Sequence, residues 1–319
     1  MTPAFEDHPR KRTVRELWNT PLLQWLFQKW GAKFAYFGLP GPEALDVRLW
    51  ESMLSHVTAF EMQTATADPR AKIAELNRQL TLLGLNYRVY CGPMEEVIMR
   101  GQDRDGVLLE VVQFPSLLNL DFTSGITGKV LTKSGNRCCR FEAIRDMASL
   151  LRRASAKFRK GHFVLLVTVQ DAFRHEPIEK VLDEDDLPDA TKAFLLGAGD
   201  PQAFEGALCR NTERLKAFIF THFRACFRGQ NITSVFLPAI AYKGLTARSP
   251  MVHVTAVCKV GDQEEPKDRE PQSAREFFRL RTLCASDAAI GECTHPVQGD
   301  RVETDPVAFL KGYRAFLAD

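Results

Sequence analysis

Gly38, Pro40 and Gly41 break the apolar run Phe34 to Phe37 into a tight turn, and about twenty residues later the run Val57 to Phe60 ends in the carboxylate of Glu61. A turn of small residues lets a ligand approach the backbone. An acidic side chain at the tip of the next strand accepts hydrogen bonds from both hydroxyls of a ribose. This pattern points to an adenosine-containing ligand, with Glu61 as the ribose acceptor. Further along, Tyr87 to Tyr90 breaks at Cys91-Gly92-Pro93, and Leu117 to Asp121 ends in a second carboxylate before the polar turn Phe122-Thr123-Ser124-Gly125. Asp121 stands where open sheets bind ligands and is the candidate for deprotonating or orienting a reacting group. Asn119 stands beside it; neighbouring strand residues point to opposite faces, so only one of the two is expected to serve. The plain structural alternative for Asp121 is a cap on the following turn.

These residues need a sheet to hold them, and the chain alternates strand-like runs with helical patterns as a parallel sheet requires. A helix is predicted from about Thr13 to Trp30, with Leu17, Leu22, Leu23, Leu26 and Phe27 on one face and Pro21 bending or dividing it. Strands at Phe34 to Phe37, Val57 to Phe60, Tyr87 to Tyr90, Leu117 to Asp121 and Phe163 to Val169 alternate with helices at Pro42 to Leu54, Pro69 to Leu83, Met94 to Arg100 and Phe141 to Phe158. Phe163 to Val169 is unbroken apolar sequence, as in a strand buried on both faces. A helix from Asn211 to Phe227 leads to Ser234 to Tyr242 and Val252 to Val260. The eight residues between those two runs leave no room for a crossover helix, so the runs must pair antiparallel. Beyond Gly261, a charged linker to Ser273 and short helices at Ala274 to Leu283 and Pro306 to Leu317 complete the chain. The expected division is a helical extension (1–31), a sheet domain (32–261) and a linker with a helical extension (262–319).

Five strand-helix units closed by a terminal antiparallel hairpin resemble the class I S-adenosylmethionine-dependent methyltransferases. The resemblance covers about Ala32 to Gly261 and implies an α/β, Rossmann-like sheet of seven strands with helices on both faces. It also implies S-adenosylmethionine as cofactor, held by Gly38, Pro40, Gly41, Glu61, Cys91 and Gly92, with Asp121 to Ser124 facing the transferable methyl. The turn Phe37-Gly38-Leu39-Pro40-Gly41 looks most like the Phe-x-Gly-Pro-Gly turn of the three-Cys-motif partner proteins, methyltransferase-like proteins of bacterial mobile and defence loci. Tyr36 or Phe37 stands where that family opens its first motif with an acidic residue. Asp121-Phe122-Thr123-Ser124 replaces the Asn/Asp-Pro-Pro-Tyr of amino-directed nucleic-acid methyltransferases. The resemblance therefore leaves two readings: a methyltransferase acting on nucleic acid, or a catalytically silent binding partner. A dinucleotide site for NAD is a third, disfavoured by the hairpin because dinucleotide folds close in parallel.

Composition bounds the partners. The 319 residues are 45% hydrophobic and carry a net charge of +2, so no whole-molecule field argues for a polyanion. Two local stretches do: Arg10, Lys11 and Arg12 with Arg15, and Arg152, Arg153 and Lys157 with Arg159 and Lys160. A solvated helix C-terminus explains the second stretch equally well, and a nucleic-acid role requires both beside the strand C-termini. No apolar run reaches membrane-spanning length and no export signal opens the chain, so no membrane partner is expected and the reading is cytoplasmic. Eight cysteines at 91, 138, 139, 209, 226, 258, 284 and 293 form no C-x-x-C pair and read as small hydrophobes. Cys284, Cys293 and His295 lack a fourth zinc ligand, His175 and His253 show no metal spacing, and no metal is expected.

Overall fold

The computed structural model describes residues 9–61, 70–122, 129–131, 137–170, 211–243, 250–261, 282–284, 305–313 and 316–317. The chain opens with α1 (Pro9–Val14), a π-helical turn (Arg15–Asn19) and α2 (Thr20–Trp30). Then come β1 (Phe34–Gly38), α3 (Leu45–Trp50), β2 (Leu54–Glu61), α4 (Ala71–Leu82), β3 (Tyr87–Cys91), α5 (Met94–Arg100) and β4 (Leu117–Asp121). A small hairpin of β5 (Lys129–Leu131) and β6 (Arg137–Cys139) precedes α6 (Arg140–Phe158), β7 (His162–Gln170) and α7 (Asn211–Arg228). The remaining elements are β8 (Ile232–Phe236), β9 (Ala239–Lys243), β10 (Pro250–Val260), β11 (Thr282–Cys284) and α8 (Pro306–Lys311).

The main sheet runs β3-β2-β1-β4-β7-β10, with β8 and β9 sharing the far edge of β10 and β11 beside β9. Among the described strands of this sheet only β10 is antiparallel to the rest, pairing with β7 on one side and with β8 and β9 on the other. This is the Rossmann-like sheet of the class I methyltransferase fold. The run Ser234 to Tyr242, expected as one strand, is split into β8 and β9 at Leu237-Pro238, because proline has no N–H for the ladder. β11 takes the last two residues of the helix expected over Ala274 to Leu283, pairing in parallel with β9. The rest of that helix, the 262–273 linker, His175, Cys293, His295 and Thr123 to Gly125 lie outside the described residues.

Helices cover both faces. One core joins α5, α6 and α7 to the sheet through Val97, Met147, Leu151, Phe220 and Phe223; the other joins α2, α3, α4 and α8 through Leu22, Leu26, Val47, Trp50, Leu76 and Leu310. The first helix departs from its expected face: Leu17 is 49% exposed while Trp18 is fully buried. Pro21 explains this, since it lacks an N–H and its ring opposes the carbonyl four residues back. The turn opens to a π-helix in which the Thr20 backbone N–H and hydroxyl both donate to the Arg15 carbonyl. The extra residue rotates Leu17 out and brings Arg15, Trp18 and Asn19 inward.

At Gly38 the β1 and β4 backbones leave no room for a side chain. A β-carbon there would fall on the backbone carbonyl of Asn119 in β4, and that carbonyl also accepts from Leu39 N–H at 2.9 Å. Gly38→Ala is therefore expected to lower stability by about 1–3 kcal/mol through overpacking. Urea unfolding checks this, and a wild-type midpoint in the variant would contradict it.

Candidate functional site

All eight proposed site residues lie along the carboxyl edge of the sheet, at the ends of adjacent β3, β2, β1 and β4. Gly38 pairs with Ala59 across to β2, and Glu61 pairs with Cys91 across to β3. Past β1, Gly41 takes a left-handed conformation (φ 67°) and its carbonyl accepts from Ala44 N–H, turning the chain past buried Pro40 into α3. The half-buried Glu61 accepts Gly92 N–H on its backbone carbonyl at 3.0 Å, which ties the two turns together.

The turn after β3 is braced from below. Cys91 is buried; its N–H donates to Asp103 Oδ2 at 3.0 Å and its carbonyl accepts from Arg104 N–H. Asp103 Oδ1 also accepts from Asp105 and Val107 N–H groups, so one buried carboxylate organises the loop. Cys91 thus shapes the turn through its backbone. Asp103 escaped the sequence reading, although Asp103-Arg104-Asp105-Gly106 carries an Asx-type turn signature. Glu96 reinforces the same region by pairing with Arg100 and Arg104 at 2.8 and 2.9 Å.

At the end of β4, Asn119 and Asp121 share one face, correcting the expectation that only one could face the site. They are two residues apart, which is the strand repeat. Asn119 Nδ2 donates to Asp46 Oδ2 at 2.6 Å and to the Tyr36 hydroxyl at 3.1 Å. Asp46, on α3, is ion-paired with Arg15 of the π-turn. Asp121 is ion-paired with Lys11 of α1. Its Oδ1 is buried with no hydrogen-bond partner among the described residues. Burial raises the Asp121 carboxyl above its ordinary value, with Lys11 pulling it down and Asp46 pushing it up.

The network continues across the sheet. His253 of β10 donates from Nε2 to Asn19 Oδ1 at 2.9 Å and accepts the Thr168 hydroxyl on Nδ1 at 2.9 Å, while Trp18 Nε1 donates to Thr255 Oγ1 at 3.1 Å. Burial lowers His253 to about 4, so it is neutral at physiological pH. Burial, and then the nearby Asp121 charge, raise Tyr242, which is hydrogen-bonded to Thr168. Arg15, Asn19, Asp46 and Thr168 were not anticipated. Their only trace in the sequence is a polar residue on an otherwise apolar helix face or strand.

The two basic stretches stand at opposite ends of the sheet, so together they do not line the strand C-termini. Lys11 is at the carboxyl edge but committed to Asp121, and Arg12 is exposed there. Arg152 donates to the Gly261 carbonyl, exposed Lys157 donates to the Val111 carbonyl at 3.3 Å, and Arg153 is exposed on the same part of α6, all toward the amino edge. The Arg10 side chain lies outside the described residues. Cys226 and Cys258 are buried free thiols, the former pushed up to about 12 by burial, consistent with packing rather than reactivity. No helix among the described residues is long and apolar enough to cross a membrane.

The donor set suits an adenosine-bearing cofactor: Glu61 offers acceptors for a ribose, and the orphaned Asp121 Oδ1 suits a cationic or hydrogen-donating group one strand beyond the β1 turn. No family model and no curated protein matches the sequence. Among solved structures, the chain is similar to the O-methyltransferase TomG of Streptomyces achromogenes, involved in tomaymycin synthesis and determined with S-adenosylmethionine. The two are 12% identical over 80% of this chain and 91% of that one, with a TM-score of 0.35. It is also similar to the amino pentose methyltransferase CalS10 of Micromonospora echinaspora (10% identity, 80% and 92% coverage, TM-score 0.36) and to an rRNA methylase of Streptococcus thermophilus (9%, 74% and 93%, 0.33). Strand order and the single antiparallel strand β10 define the fold.

Proposed function

We propose that the chain binds S-adenosylmethionine across the ends of β1, β2 and β3 and works as a methyltransferase-type protein whose acceptor approaches the end of β4. The observation that carries this reading is Glu61, at the tip of β2, joined through its backbone to Gly92 and one strand from the Gly38 to Gly41 turn. Glu61 accepts the ribose hydroxyls, and the turns at Gly41 and Gly92 let the cofactor approach the backbone. When bound, the cofactor supplies a methyl group already activated on sulfonium, so the protein's task is largely positioning. Asp121, with its raised carboxyl, is the group that orients the acceptor or takes its proton. A nucleic-acid acceptor keeps only one of its two basic stretches at this edge, with Lys11 already paired to Asp121, so transfer assays decide the acceptor class.

Calorimetric titration tests the reading. S-adenosylmethionine and S-adenosylhomocysteine are expected to bind and NAD is not. Glu61→Ala should weaken S-adenosylmethionine by about 1.5–3 kcal/mol, roughly 10- to 150-fold, through lost hydrogen bonds to a charged acceptor. Unchanged affinity in a folded variant would remove Glu61 from the site, and no binding by the wild type would end the proposal.

One observation favours the second reading, a catalytically silent partner such as those of defence loci: the carboxylate that would serve the acceptor is already paired with Lys11. Assays with labelled S-adenosylmethionine against DNA, RNA and whole-cell protein separate the two. Cofactor binding without transfer to any of them supports the silent partner.

A further inference from the structure

We infer that the amino edge of the sheet, opposite the proposed cofactor site, holds a second binding site, for a small phosphate-bearing organic anion of the nucleotide class. A cavity of about 700 Å³ opens there, at the foot of β1, β4 and β7 and beside the end of β10, a volume typical of small-molecule sites. Four cations line it from three separate parts of the chain: Lys33 just before β1, Arg159 and Lys160 at the end of α6, and Lys259 near the end of β10. No carboxylate is among its lining residues. Among the described residues Lys33, Arg159 and Lys160 enter no ion pair.

The helix dipole accounts for positive charge at the end of α6 but not for Lys33 and Lys259, which come from elsewhere. The chain as a whole is nearly neutral, so this concentration is local. Like charges gathered around one cavity repel each other, and an anion relieves that repulsion. Arg159 adds strain, sitting in the left-handed region at φ 52°, where a glycine would be more comfortable.

The cavity wall also provides an aromatic, hydrogen-bonding surface. Trp30 is half-buried beside His162, with ring centroids 5.6 Å apart, and His162 and Lys259 are cross-strand partners. The buried Trp30 Nε1–H has no partner among the described residues, and an indole N–H can only donate. Cations for phosphate together with an aromatic wall and a spare donor favour a nucleotide over a bare inorganic anion.

The test uses the full chain, with ATP and pyrophosphate as probes in calorimetry at low and at physiological salt. ATP is expected to bind at one site per chain and more tightly than pyrophosphate. Lys33→Ala/Lys259→Ala should weaken ATP at least tenfold while leaving S-adenosylmethionine titration unchanged. Arg159→Gly should weaken ATP without lowering the melting temperature, because it relieves the left-handed strain while removing a cation. This second variant keeps the test valid should the double variant fold poorly. No saturable ATP binding, or equal binding by the folded variants, overturns the inference. Tight binding of a single-stranded oligonucleotide that ATP fails to displace overturns it in favour of a nucleic-acid surface.

Discussion

Lys11→Ala is expected to destabilise the protein by about 3–5 kcal/mol, the scale of stranding one charge of a buried pair. Both side chains of the Lys11–Asp121 pair are nearly buried, at 12% and 11% exposure. Burial already holds the Asp121 carboxyl above the ordinary 3.8 with Lys11 in place. An acid with a raised value binds its proton more readily in the fold than in the unfolded chain. Its contribution to stability therefore falls as pH climbs from 3.8 through the folded-state value. Without Lys11 that value rises further, so the variant's deficit should be largest near neutrality and shrink in acid as Asp121 takes up a proton. Asp121→Asn in the Lys11→Ala background should recover most of the loss. Urea unfolding across the acid range measures both effects. A deficit independent of pH would show that Lys11 acts through packing rather than charge.

The second large effect belongs to His253 and has the opposite sign. Its folded-state value is lowered to about 4 from 6.5, first by burial, with nearby Asp46 raising it and Lys11 lowering it. The unfolded chain binds this proton near 6.5 and the fold resists it to about 4. The stability is fully present above 6.5 and is lost as pH falls toward 4. The gap amounts to about 3 kcal/mol. His253→Gln, which keeps a donor and an acceptor between Asn19 and Thr168, should flatten stability across that window. An unchanged pH profile in the folded variant would sink the assignment. The mechanical meaning is that acid loosens the seam joining the π-turn to β7 and β10, beside the proposed acceptor end of the sheet.

The legibility of this chain divides along physical lines. Alternating apolar runs, glycine and proline turns and the short link between Tyr242 and Val252 were enough to reach a Rossmann-like sheet with one antiparallel strand. Those features depend on local periodicity and chain reach, which a sequence records directly. The same holds for the strand-end positions of Glu61 and Asp121, since both close apolar runs. The partners of these residues were not legible. Lys11 meets Asp121 across more than a hundred residues, and Arg15 meets Asp46 only because Pro21 opens a π-turn that rotates the helix by an extra residue. The basic residues Lys33, Arg159, Lys160 and Lys259 read as unrelated surface charges until the sheet brings the start of β1, the end of α6 and the end of β10 to one edge. Residue type and spacing determined which elements form and where carboxylates end them. Only the tertiary structure decided which charges face each other, because charge pairing and burial depend on distances in space that sequence separation does not encode.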